Sequence, residues 1–336
     1  MRRKKRKQRL PRDPSDPTGL KRLRDSANSA VRSRFLHIGK FQRELVNKLP
    51  RSFKNVPRDK APGVRKQDMR KADLRPNARQ YTWLVDDILM DQTADTLRQE
   101  LRDILLGGSD RSTRRWFFLS YLDRAAGRGA QDSLRTSQLI VPTNETLQDI
   151  TPEMVLADPA FQARTRLLHG RVFEEMKGLT ESMVSTMRRT LTNAMGRGVG
   201  ISDIRGMLNK NVGVDLVRAE RIARTEINKA YTDAYLDESQ AINEEILEDD
   251  DEEIKVMHFS ALSPTTRLSH AERHAHLYTQ AEQKEWWDSG SNRINCLCTT
   301  IDVLVDKKTG EPFDPEFVRR AKKEGEKFFA AHTPLR

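Results

Sequence analysis

Cysteine occurs only twice in the 336 residues, at Cys296 and Cys298. One pair with a single residue between cannot build a disulfide framework, which points to a reducing compartment and to thiol chemistry. Long hydrophobic runs are missing too. Apolar residues make up 36% of the chain and aromatics 6%, and the most apolar patch, Trp116 to Leu122, is far shorter than the roughly 18 residues of a membrane span. The basic start is not followed by an apolar segment. Residues 10–35 contain Pro, Asp, Lys and Arg where a secretory signal needs its hydrophobic region, so neither membrane insertion nor secretion is expected. No fixed-period repeat is present.

Acidic residues are scarce in the first quarter. Residues 1–80 hold 26 Lys/Arg against 7 Asp/Glu, a net +19, whereas residues 81–336 hold 34 against 42, a net −8. Seven of the first ten residues are basic: Arg2, Arg3, Lys4, Lys5, Arg6, Lys7 and Arg9. Seven prolines from Pro11 to Pro76 punctuate the stretch. Such a segment repels itself and buries little, so residues 1–77 read as a largely disordered basic arm, with a short helix around 32–49.

Helical spacing begins near Ala78. Trp83, Leu84, Ile88, Leu97, Leu101, Ile104 and Leu105 recur at three and four before Gly107-Gly108. A second helix fits Thr113 to Ala126 with Gly127 as its stop. A long periodic stretch runs from Phe161 to Met195, its methionines reading as core filler, until Gly196, Gly198 and Gly200. A short helix then starts at Ser202 and leads to 211–213. Another runs from Asp215 to Ile246, with Ala219, Ala223, Ala230 and Ala234 on one side. Residues 244–253 hold eight acidic positions and read as a solvated loop.

Past that boundary the period shortens to two. Ile254, Val256 and His258 alternate as in a strand, and Cys296 to Val305 suggests another. Asp306–Gly310 reads as a turn, and 314–331 as a closing amphipathic helix. The expected fold class is mainly α with a small α+β C-terminal domain. The expected organisation is arm 1–77, helical body 78–253 and α+β unit 254–336.

Chemistry concentrates near the C-terminus. His270 and His274 would share a face on a helix, and Cys296 and Cys298 would share a face on a strand. Together the four form a plausible tetrahedral zinc set. The alternative is that the cysteines are small core residues and the histidines satisfied polar groups. On the long helix Arg224 and Glu226 lie about 200° apart and cannot pair with each other. The sharper expectation is an ion pair between Glu226 and Arg267, against the plainer one of two exposed charges.

Three blocks, Arg221–Tyr231 containing Ala-Arg-Thr-Glu, Thr266–His270 and Asn295–Cys298, resemble in order and spacing the phage Mu F-like minor head proteins of the phage head morphogenesis family. The resemblance covers about 201–305. Leu297 stands where that family usually has Arg. The resemblance implies a non-enzymatic head component that associates with the portal, works with the major capsid or scaffold protein, and resides in the virion interior after assembly in the host cytoplasm. The basic arm fits independently, since it could neutralise phosphates of viral DNA without reading bases. Two other classes compete: a metal-dependent nuclease or toxin-like enzyme built on the His and Cys residues, and a DNA-condensing protein whose function lies in residues 1–80.

Overall fold

The computed structural model describes residues 8–57, 77–107, 116–248 and 250–332. In order, these form α1 (Lys21–Lys48), β1 (Arg51–Pro57), β2 (Asn77–Trp83), α2 (Asp87–Leu101), α3 (Asp123–Ile140), α4 (Glu145–Asp149), α5 (Pro152–Ala157), α6 (Pro159–Gly196), α7 (Ile201–Glu245), β3 (Glu252–Phe259), α8 (Leu268–Glu272), β4 (Leu277–Tyr278), α9 (Gln280–Asp288), β5 (Thr299–Asp306) and α10 (Pro315–His332). Long helices and a C-terminal α+β region give the fold class expected from the sequence.

Local chemistry sets many of the boundaries. Asp86, Asn144 and Thr151 each accept a backbone N–H at the start of α2, α4 and α5, and Pro152 opens α5 where its missing N–H costs nothing. Gly107, at φ 78°, ends the π-helical turn Arg102–Leu106 that continues α2. Thr279 and Glu282 form a reciprocal capping box on α9.

Two compact units emerge. The first comprises Met1–Ala27, Phe117–Arg171 and Arg221–Arg336; the second comprises Asn28–Trp116 and Val172–Glu220. This grouping differs from the serial division expected along the chain, because α1, α6 and α7 are each long enough to supply residues to both.

In the second unit, β1 and β2 form an antiparallel pair from Arg51↔Trp83 to Pro57↔Asn77. Tyr81 donates its backbone N–H to Gly198 at 3.1 Å, and Trp83 Nε1 donates to the Val199 carbonyl at 3.0 Å. Gly198, at φ 69°, sits so close to the Tyr81 carbonyl that a Cβ would lie 2.8 Å from it. Met183, Met187 and Leu191 are buried here, as the methionine stripe suggested. Arg98 and Arg102 both reach Glu181, at 3.0 and 3.1 Å.

In the first unit, β3 lies between β4 and β5 in an antiparallel sheet, with Val256 opposite Asp302 and Met257 opposite Ile301. Strand alternation sends neighbours to opposite faces. Met257, Phe259, Ile301, Val303 and Val305 pack with Phe317, Val318 and Ala321 of α10. Val256 packs instead with Leu236 of α7, Trp287 of α9, Cys296 and Cys298. A buried polar knot ties this second face to the helices. Asp302 accepts from Ser133 and Ser137 of α3 at 3.1 and 3.2 Å and from Ser239 of α7 at 2.8 Å. Burial outweighs those hydroxyls and pushes its carboxyl up to about 7.

Five expectations need correction. Helical spacing is expected from Ala78, yet Asn77–Trp83 is strand β2 and α2 begins only at Asp87. The charge pattern predicts a disordered arm with a short helix over 32–49, yet α1 begins at Lys21, and Leu20, Ala27, Val31, Phe35, Ile38 and Val46 are buried. Regional net charge hid this helical stripe because charged residues fill its other face. Residues 1–7 and 58–76 lie outside the described residues. The stop at Gly127 is not used: α3 runs through it, and Gly129 serves packing, since a Cβ there would lie 2.1 Å from the Tyr231 carbonyl of α7. The helices separated at 211–213 are one, α7, with Gly206 and Gly213 inside it; isolated glycines cost about 1 kcal/mol each and need not break a packed helix. The cysteines precede β5 rather than lying on it.

Candidate metal centre

The segment 289–298 is positioned by side chains from distant parts of the sequence. Arg267, at the N-cap of α8, donates Nη1 to the Ser291 carbonyl at 2.7 Å, and Nη2 to Asn292 and Ile294 at 2.7 and 3.2 Å. Three carbonyls converging on one planar cation suit guanidinium and would not suit an ammonium. From α7, the Thr225 hydroxyl accepts the Asn295 N–H at 2.9 Å, and Asn228 Nδ2 donates to the Cys298 carbonyl at 3.2 Å. Asn295 sits at φ 54°, a left-handed conformation that Asn tolerates better than most residues. Arg293 pairs with Asp233 at 2.5 Å and Asp288 at 3.2 Å, and covers the Trp287 ring.

These contacts deliver two sulfurs to one histidine. Cys296 Sγ lies 3.4 Å from His270 Nδ1, and Cys298 Sγ lies 3.5 Å from the same atom. Candidate ligand atoms of His258, His270 and Cys298 all fall within 4.8 Å of one another. All four residues are buried. Backbone N–H of Cys298 donates to Cys296 Sγ at 3.4 Å, and the Ser260 hydroxyl lies 3.7 Å from Cys298 Sγ.

Electrostatics divide the thiols. A hydrogen bond from Cys298, with a further contribution from His270, holds the Cys296 thiol well below its usual value, whereas the neighbouring Cys296 and burial push Cys298 well above. Burial, with Arg273 and His270 nearby, drives His258 far down, so its ring is neutral and carries a lone pair. His258 Nδ1 lies 3.3 Å from Gln283 Oε1, an acceptor, so that nitrogen carries the proton and Nε2 is left for the cluster. His258 Nε2 is buried with no hydrogen-bond partner, and so is His270 Nε2. Arg273 stacks over Tyr278 at 3.7 Å and Trp286 at 4.3 Å beside them.

His274 does not join the cluster. Its Nδ1 accepts the Ser260 N–H at 3.1 Å, its Nε2 donates to the Ala321 carbonyl of α10 at 2.9 Å, and its ring packs on Phe259. The i,i+4 relation fails because α8 stops at Glu272 and Ala275 takes a φ of 63°. His258 replaces it. The alternation Ile254, Val256, His258 was the available signal, since it placed a histidine on a buried strand face.

Nor does the structure pair Glu226 with Arg267. Glu226 forms an ion pair with Arg171 of α6, while the Arg267 guanidinium is engaged by the carbonyls of 291–294. Of the basic arm, Arg9 is exposed; Arg2, Arg3, Lys4, Lys5, Arg6 and Lys7 lie outside the described residues.

The geometry is that of a small α+β unit whose three sequence blocks all serve one buried cluster. Residues 185–301 match the family model described as phage Mu protein F like protein. This part of the chain is Mu F-like, as the motifs indicated, and the matched span holds all four clustered residues. No curated protein and no solved structure matches the chain.

Proposed function

We propose that this protein is a minor head protein acting in phage head morphogenesis, associated with the portal and retained inside the virion. The match over residues 185–301 carries this reading. Working partners would be the portal ring and the major capsid or scaffold protein. Viral DNA would be held without sequence preference by Arg2, Arg3, Lys4, Lys5, Arg6, Lys7 and Arg9, because a dense run of cations releases counterions from any phosphate backbone. No helix among the described residues is long and apolar enough to cross a membrane.

The enzyme alternative is less well supported. A metal-dependent nuclease needs an open coordination position and a nearby general base, whereas the four clustered residues are buried and bring two sulfurs and two imidazoles. The deciding experiment uses the phage that encodes the protein. Proheads and portal rings purified from infected cells should contain it at low stoichiometry, and its deletion should reduce infectious heads while leaving major capsid synthesis intact. Normal heads from the deletion, with no association with portal or proheads, would overturn the proposal.

A further inference from the structure

We infer that His258, His270, Cys296 and Cys298 bind one zinc ion as a closed, structural site. A tetrahedral ion with Zn–N near 2.0–2.1 Å and Zn–S near 2.3 Å places a nitrogen and a sulfur ligand about 3.6 Å apart. The two sulfur distances to His270 Nδ1, 3.4 and 3.5 Å, match two edges of such a tetrahedron. His258 would supply the fourth corner on binding, its donor lying within 4.8 Å of those of His270 and Cys298.

Two further observations point to a cation rather than to core filling. His258 Nε2 is a fully buried acceptor with nothing to accept, a cost of about 1–3 kcal/mol that a metal would remove. Its other nitrogen is oriented by Gln283, which also takes a contact from Arg273 at 3.4 Å; orienting the remote nitrogen of a ligating imidazole is what an outer shell does. Two imidazoles and two thiolates in a tetrahedral arrangement select zinc among common ions.

The ion would join three pieces: strand β3 through His258, helix α8 through His270, and the segment before β5 through both cysteines. That segment is also the one fastened to α7 by Thr225 and Asn228. All four protein ligands fill the coordination sphere, so no position remains for water or substrate, and the role is to hold the fold.

The test uses the full chain purified without a histidine tag under reducing conditions. Elemental analysis should give about one zinc per chain. Replacement by Co(II) should give visible bands of a tetrahedral site, with the sulfur-to-metal charge transfer of two thiolates. H258Q and C298S should each lower retained metal by at least about tenfold, whereas H274Q, at the histidine that faces α10, should retain it. The cobalt spectrum of the unaltered chain decides even if a variant fails to fold. A chain that takes up neither zinc nor cobalt, a spectrum without thiolate bands, or metal lost in H274Q and kept in H258Q would each overturn the assignment.

Discussion

The hydroxyl of Thr225, in the middle of helix α7, accepts the backbone N–H of Asn295 at 2.9 Å, across 70 residues of sequence. One residue further on comes Cys296. The Ala-Arg-Thr-Glu block therefore acts on the Asn-Cys-Leu-Cys block through a hydrogen bond to backbone. Replacing Thr225 by Val keeps the shape and removes the acceptor. The Asn295 N–H remains open to water, so the expected cost is about 0.5–1.5 kcal/mol in chemical denaturation, the net worth of one hydrogen bond. Asn295→Gly should be tolerated, because glycine adopts the same left-handed backbone freely, and Asn295→Val should not.

Arg267 bridges three carbonyls, so its loss should free a loop rather than an ion pair. In R267A, amide hydrogen exchange should rise over residues 289–298, and R267K should rescue little, since an ammonium cannot span the same carbonyls. A double-mutant cycle of Glu226 with Arg267 should give a coupling energy near zero. The same cycle with Arg171 should give about 0.5–1 kcal/mol, because the Arg171 side chain is partly exposed.

The buried Asp302 makes stability depend on pH in an unusual direction. Its folded carboxyl keeps a proton up to about 7, whereas an unfolded aspartate releases it near 3.9. Between those values the unfolded chain binds fewer protons, so stability falls as pH rises from about 4 to about 7, by up to about 1.4 kcal/mol per pH unit, and levels off above. Glu238, also raised to about 7 by burial, adds in the same sense. Denaturation midpoints followed across that range should show the decline, and D302N should flatten part of it. A midpoint that climbs over the same interval in both proteins would remove this account.

Helices α3 and α7 touch where Gly129 meets the Tyr231 carbonyl, leaving no room for a methyl group. Gly129→Ala improves helix propensity by up to about 1 kcal/mol, yet should destabilise the protein by about 1–3 kcal/mol, because overpacking against backbone cannot relax easily. Thermal unfolding of this single variant decides between the two effects.

Truncation of the arm should stop at residue 7. Gln8 is buried, donates its side-chain amide to the Asp302 carbonyl at 2.7 Å and receives Arg320 on its own carbonyl, so longer deletions would damage the fold as well as remove charge. Losing the six basic residues from Arg2 to Lys7 should flatten the dependence of log K on log salt for duplex DNA by up to about 5. An unchanged slope would show that these cations do not carry DNA binding.

By itself the sequence determined the helical class, the span of α6, the strands that became β3 and β5, the closing helix α10 and the Mu F-like blocks. Each of these is a local pattern: a period of 3.6 or 2, or residue types at short spacing. The sequence also located the chemistry at His270, Cys296 and Cys298. Only tertiary structure decided the rest. Helix α8 stops at Glu272, two residues short of His274, so His274 turned to α10 and His258, sixteen residues before it on a strand, took its place. Arg267 found carbonyls and Glu226 found Arg171, since charge complementarity in a sequence does not say which partner is within reach. The helix hidden in the basic arm followed the same logic in reverse: its apolar stripe was there to read, but only burial against the rest of its own units made that stripe worth more than the charge around it.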